Sequence, residues 1–142
     1  MSAKSMYISF LNDATTSMAK VNKVPDSDYL TYFTSNGIVV GREEIIDPIE
    51  YDDIDGLQKG VVTLLEEKSP VSSVLIASSL YKHHASKDNQ SDSNSDLQII
   101  TLRDAQVLTA QNIVINCEQF VLFTDQVVGV VSGKLDLNQF KA

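Results

Sequence analysis

The chain has 142 residues, a single cysteine and a formal net charge of −8. That length suffices for one domain. The lone Cys117 excludes an intramolecular disulfide. The negative charge repels the phosphate backbone of nucleic acids. No stretch approaches the ~20 apolar residues of a membrane helix, and residues 1–4 lack the pattern of a secretory leader, so we predict a cytoplasmic protein with no membrane partner.

The N-terminal segment carries two competing patterns. Apolar residues within 6–10 alternate as in a strand, whereas those within 11–18 recur every three or four residues as in a helix. Of these two patterns, the helical one is slightly favoured for this segment. Pro25 and the polar residues after it then break the pattern, so residues 1–28 are predicted to form an N-terminal extension.

A hairpin is predicted where the body of the chain begins. Residues 30–34 and 38–42 are rich in β-branched and aromatic side chains, and Asn36-Gly37 lies between them. This dipeptide suits the two positive-φ positions of a type I′ turn. We therefore expect a valine at Gly37 to destabilise the domain, because a β-branched residue resists positive φ.

The middle of the chain is predicted to alternate between loops and strands. Residues 47–56 form an acidic loop, and residues 60–65 and 71–80 are β-branched runs that we assign to strands on either side of Pro70. Residues 82–95 are polar and without periodicity. They offer too little apolar surface to offset their ordering entropy, which predicts a mobile, dispensable loop that proteases cut first.

The last third is again predicted to be β-structure. Residues 96–107 and 113–115 form strands, and residues 118–123 and 127–132 form a final hairpin around a three-residue turn. Residues 136–140 close with a short helical turn. Many short strands and few helices predict a mainly β fold, a small barrel over residues 29–133 followed by a C-terminal tail at 134–142, all in a single domain.

Two short motifs in this barrel region resemble the Sm/LSm-like family. That family has a tight hairpin turn and then the pattern Asp-x-apolar-Asn-x-x-Leu-x-Asp-Ala, which is matched here by Asp96, Leu102, Asp104 and Ala105. Its second motif, an apolar residue followed by Arg-Gly-Asp/Asn-Asn-Val-Val, is similar to residues 122–128. Within this family, the chain most resembles the acidic Sm-like proteins of bacteria and phages. The resemblance implies a small, strongly bent SH3-type β-barrel that assembles into rings.

The positions that the family uses to contact RNA differ in this chain. Ile99 stands where the family has a base-contacting Asn, and Phe123-Thr124 stand where it has Arg-Gly. Isoleucine and phenylalanine cannot donate the hydrogen bonds that hold single-stranded uridines. By resemblance alone, the candidate ligand or RNA-contact positions are Asp96, Ile99, Phe123, Thr124 and Asp125.

The acidic loop resembles a calcium site in composition but not in register. With Gly56 at the sixth position of such a loop, Tyr51 falls first and Val62 twelfth, where the ion needs carboxylates. We interpret residues 52–55 as a solvated acidic loop.

The histidines and the cysteine give no better site. His83 and His84 are adjacent and would point to opposite sides of an extended segment, and no second ligand pair is placed elsewhere. Cys117 is expected to be a buried or half-buried small hydrophobe. We assign no catalytic, cofactor or metal-binding residue.

Three functions stay open at this point. The first is a non-catalytic Sm-like scaffold that forms a homo-oligomeric ring by pairing exposed strand edges, with residues 120–123 and 127–131 at the seam. The second is an RNA-binding Sm-like protein with altered contacts, such as aromatic stacking. The third is a metal-assisted hydrolase built on the acidic loop and His83-His84. We expect the scaffold, with weak or no affinity for uridine-rich RNA; another protein partner remains open.

Overall fold

A computed structural model describes residues 3–22, 28–87 and 99–141. The chain divides into two compact units. Residues Met1–Glu44 and Leu97–Ala142 form one, which we call the sheet unit, and Ile45–Asp96 form the other, the helical unit. The helical unit is therefore inserted into the connection between two strands of the sheet unit. Within the described residues, no helix has the length and apolar character needed to cross a membrane.

The sheet unit holds one helix and five strands: α1 (Ala3–Asn22), β1 (Tyr29–Thr34), β2 (Gly37–Glu43), β3 (Ile99–Thr109), β4 (Val114–Phe123) and β5 (Val127–Ser132). The strands form one antiparallel sheet with the order β4-β3-β2-β1-β5. The predicted β-sheet is present and the N-terminal segment is helical. The prediction of a mainly β barrel is confirmed only in part: the five-stranded sheet is present but does not close into a barrel, and two further helices between β2 and β3 make the fold mixed α/β.

The connection from β4 to β5 requires a strongly bent sheet. These strands lie at opposite edges of the sheet, yet only the 3-10 turn Thr124–Gln126 joins them. In a flat sheet the two edges would be about 19 Å apart, whereas a three-residue 3-10 turn rises only about 2 Å per residue. The sheet must therefore curl until the end of β4 meets the start of β5. It remains open, because β4 and β5 do not pair with each other.

This arrangement corrects the predicted final hairpin. Residues 118–123 belong to the long strand β4, which also includes most of the separately predicted segment 113–115. β4 pairs with β3, and β5 pairs with β1. The pattern predicted the strands correctly, but their pairing is non-local and could not be derived from their order along the chain.

The sheet is covered on both faces, which explains its nearly continuous apolar strands. One face packs with Ile8 of α1 around the fully buried Leu30, Tyr32 and Leu102. The other packs against Leu137, in the short 3-10 turn predicted near the C-terminus and observed at Leu137–Phe140.

The first hairpin is confirmed, but its turn is not the predicted one. β1 pairs with β2 so that Thr34 faces Gly37, which makes Ser35 and Asn36 the central residues of the turn. Neither of them has a positive φ, so this is not a type I′ turn. Instead the Thr34 hydroxyl accepts a hydrogen bond from the Asn36 N–H (3.3 Å) and donates one to the Gly37 carbonyl (2.7 Å).

The helical unit replaces two predicted strands. Residues 60–65 lie in the helix α2 (Ile54–Glu66), and residues 73–80 of the predicted strand 71–80 lie in the helix α3 (Ser73–Lys87). Both helices begin at a side-chain cap: the Asp53 carboxylate accepts from the Gly56 N–H (2.8 Å), and the Ser72 hydroxyl accepts from the Leu75 N–H (3.2 Å). Short apolar runs do not distinguish a strand from a helix by composition, and these caps decide in favour of helices.

The predicted loops are correspondingly shorter. α2 begins inside the predicted acidic loop 47–56, and α3 covers residues 82–87 of the predicted mobile loop. Residues 88–95 of that loop lie outside the described residues, as does Asp96.

Candidate functional site: the free edges of the sheet

Within the described residues, the main feature of the sheet unit is that both edges of its sheet are free. Among the described residues, β4 pairs with β3 alone and β5 with β1 alone. Each edge strand thus presents backbone N–H and C=O groups with no strand beside them. Such a row is a template for pairing with another chain.

Side chains along these edges are apolar and exposed. β5 carries no charged residue and β4 carries one, Glu118. Val128 is 75% exposed and Phe123 52% exposed, although both are hydrophobic. Proteins usually protect free edges with lysines, prolines or a covering element, and neither strand contains a lysine or a proline. The edges therefore favour association.

The first turn of α1 is tied to the place where the two edges meet. The Ser5 hydroxyl donates to the Thr124 hydroxyl oxygen (3.1 Å), and the Lys4 ammonium group donates to the Val127 carbonyl (2.9 Å). The helix thereby holds both the β4–β5 link and the first residue of β5.

A bulge in β3 contains part of the first motif. Gly41 of β2 faces two residues of β3, Asp104 and Ala105, and Asp104 adopts a positive φ of 48°. The Arg42 guanidinium forms an ion pair with the Asp104 carboxylate (3.2 Å) and lies 4.7 Å from the centroid of the Tyr29 ring. A bulge increases the local bend of a strand, so the Asp-Ala pair contributes to the curl of the sheet.

The structure brings together some of the predicted contact positions. Ile99, the first residue of β3, lies directly opposite Phe123, the last residue of β4. Thr124 follows at once but is buried, and Asp125 is exposed in the 3-10 turn. Asp96 lies outside the described residues. Where the family has hydrogen-bonding groups, this chain thus has a pair formed by Ile99 and Phe123.

An apolar groove beside the β5 edge was not predicted. It has a volume of about 480 Å³, and the described residues that line it are Lys4, Tyr7, Ile8 and Leu11 of α1 with Val127, Val128, Gly129, Val130 and Ser132 of β5. The sequence predicted both elements but not that they lie side by side. The signal that was present is the helical spacing of Tyr7, Ile8 and Leu11, which places these three residues on one face of α1.

A polar cluster lies between α1 and the sheet. The Asn12 amide donates to the hydroxyl of the fully buried Tyr32 (3.2 Å). Burial raises the pKa of Tyr32 to about 12, against a smaller opposing effect of the Asn12 hydrogen bond. Glu43 is half-buried nearby, and its pKa is raised by desolvation and by the charge of Asp13.

Replacing Glu43 with glutamine should raise the unfolding temperature at pH 7. Because the folded-state pKa of Glu43 is raised, its contribution favours folding below the ordinary value of 4.5 and is lost as the pH rises through the folded-state pKa. The gain should therefore vanish in melts below pH 4. Glu66→Gln, which removes an exposed carboxylate from α2, is the matched control and should change little. An equal gain in both variants would point to overall charge instead.

The remaining sequence candidates do not form a site. Asp53 is the cap of α2, and His83 and His84 lie in α3, where the His83 ring stacks on Tyr51 with 4.3 Å between ring centroids. Across the described parts of the chain, no three His, Cys, Asp or Glu side chains are grouped so that they could hold a metal ion. Cys117 is half-buried against the core, as predicted.

No protein-family model, curated protein or solved structure matches this chain. The inference of function therefore depends on the bent sheet, its two free edges and the residues of the two motifs.

Proposed function

We propose that the sheet unit is an Sm-like domain and that the protein is a non-catalytic, cytoplasmic homo-oligomeric scaffold. Copies join when β4 of one chain pairs with β5 of the next. The observation that carries this proposal is the pair of free, apolar edges on one bent antiparallel sheet.

Three features support the Sm-like assignment. The resemblance implies a small, strongly bent sheet, and the short β4–β5 link requires such a bend. Residues of the two motifs meet at the pair Ile99 and Phe123, although they are far apart in sequence. The Asp104-Ala105 pair of the first motif lies in a bulge that bends β3.

The two edges also favour a ring over a simple dimer. β4 and β5 are different surfaces, so pairing one with the other is head-to-tail and leaves one free edge at each end of the assembly. Repetition ends only when the assembly closes on itself, which gives cyclic symmetry. Closure removes every exposed edge, and this is the driving force that the proposal invokes.

Light scattering on the purified chain tests this proposal. We expect a defined oligomer at micromolar concentration, and Val128→Lys should weaken it because a charged side chain on an edge strand opposes pairing. Ile54→Lys is the matched control: Ile54 is a 58% exposed apolar residue of α2, which belongs to the helical unit and not to an edge strand. A monomeric wild-type chain, or equal effects of the two variants, would reject edge pairing.

We also expect weak or no affinity for uridine-rich RNA near physiological salt. The pair Ile99 and Phe123 offers no hydrogen-bond donors to bases beyond the backbone. Charge is the second reason, because both parts of the chain carry a net negative charge that repels the phosphate backbone. Residues 45–96 hold ten acidic and four basic residues, and the rest of the chain holds nine acidic and seven basic residues. A gel-shift series over increasing salt measures this. Submicromolar, sequence-selective binding would favour the RNA-binding alternative instead.

A further inference from the structure

The apolar groove beside β5 lies next to the strand edge at which we propose that a second chain pairs, so it can contact the side chains of that chain as well. We infer that this groove receives the side chains of β4 from a second copy of the chain, which makes α1 part of the subunit interface. The inference rests on the proposed edge pairing and names the surface that would determine which strand is accepted.

The position of the groove carries the first step. One wall is α1, and the other is β5 itself, from Val127 to Ser132. A strand that adds to the free edge of β5 lies about 4.8 Å from it, and every second side chain then stands on the same face of the sheet. Side chains on the α1 side of the added strand therefore enter the groove.

The chemistry of the groove and of β4 agrees with this occupant. Lys4 is the one charged residue among the described residues that line the groove, and its other lining side chains are mostly apolar. β4 is likewise an apolar strand with one charge, and that charge is the acidic Glu118. The strand and the groove thus match in polarity and carry opposite signs. A strongly charged peptide would lose solvation in this groove without finding partners.

Tyr7 explains why the groove adds affinity to the backbone pairing. Its side chain lines the groove yet is 70% exposed in the single chain. Aromatic side chains provide a large part of the energy of protein interfaces when they become buried. We expect Tyr7→Ala to raise the dissociation constant of the oligomer by on the order of tenfold or more.

Phe10 provides the matched control on the same helix. It is 62% exposed and similar in size to Tyr7, but it is not among the residues that line the groove. Both side chains are exposed, so either substitution should leave the fold intact. Phe10→Ala should therefore leave the dissociation constant within about twofold of the wild type.

Cross-linking tests the occupant directly, with the native Cys117 of β4 as the starting point. A variant with Tyr7→Cys and Cys117→Ser is mixed with chains that carry a single cysteine on β4: the native Cys117, or Ile115→Cys or Phe120→Cys in a Cys117→Ser background. Cys117 and Phe120 pack in the same cluster as Ile8 of α1, so they lie on the α1 side of the sheet, and Ile115 is two residues from Cys117 along the strand. A short bismaleimide should link Tyr7→Cys to at least one of them between chains, whereas Phe10→Cys should give no such product.

The outcomes separate this inference from the proposed function. A wild-type chain that stays monomeric rejects both. A defined oligomer without any cross-link from position 7 to β4, in which Tyr7→Ala behaves like Phe10→Ala, retains edge pairing and rejects the groove as the site for β4.

Discussion

Gly37→Ala should lower the free energy of unfolding by about 2 kcal/mol, within the range for overpacked sites. A Cβ at this position would clash with the Leu108 carbonyl oxygen of the neighbouring strand β3. Backbone atoms of a central strand cannot move aside as a flexible side chain can. Urea unfolding of the two proteins measures the difference.

Two further variants identify the cause. Gly129→Ala lies in the same sheet, but its Cβ would meet only Phe33, at the ordinary contact distance of 4.0 Å, so we expect little change. Gly37→Asn distinguishes two reasons why glycine would be needed at this position: the clash with β3, and the positive φ of the type I′ turn predicted from the sequence. Asparagine is well tolerated at the positive-φ positions of a type I′ turn, whereas the clash penalises it as much as alanine. A Gly37→Asn protein as stable as the wild type would restore the type I′ interpretation.

The sequence predicted elements well where the local pattern was strong. The hairpin around residues 35–36 and the strand that begins at Ile99 have clear β-branched and aromatic patterns, and both are present. The pattern of α1 was weaker, because strand-like alternation within 6–10 competed with the helical spacing within 11–18, and the helix is the outcome. Even in the hairpin the turn was displaced by one residue, because Thr34 provides a side-chain hydrogen bond that a dipeptide rule does not consider.

The failures have a common cause. Residues 60–65 and 71–80 are apolar and rich in β-branched residues, which favours strands locally, and the cap at Asp53 was taken for part of an acidic loop. Whether such a run becomes a strand depends on a partner strand elsewhere in the chain. Here the sheet forms from residues on both sides of the insertion, and the two apolar runs inside the insertion lie in α2 and α3.

The candidate site was predictable only in part. The motifs indicated Ile99 and Phe123 separately, and the register of β3 and β4 makes them direct neighbours. The apolar residues of β4 and β5 suggested a contact between chains, but that these strands are the two edges depends on the order of all five strands. The groove depends on the packing of α1, which no local pattern encodes.

Stability should fall between pH 10 and pH 12 because of Tyr32. Burial raises its pKa to about 12 from an ordinary value of 10, so the folded chain retains the proton that the unfolded chain loses. The contribution of the Tyr32 hydroxyl to the free energy of unfolding is fully present below pH 10 and is lost as the pH rises through about 12. Two pKa units correspond to about 3 kcal/mol. Tyr32→Phe should abolish this loss, which urea unfolding at a series of pH values measures.

The two pH profiles should therefore cross. Near pH 7 the Tyr32→Phe protein is expected to be the less stable one by about 1–2 kcal/mol, because the Asn12 amide loses its buried acceptor. Towards pH 12 the wild type loses its advantage, since folding then requires the phenol of Tyr32 to stay protonated. Tyr7→Phe removes an exposed phenol of the same chain and should run parallel to the wild type. If Tyr32→Phe also ran parallel, the hydroxyl would ionise in the folded protein, and α1 would not seal it from water.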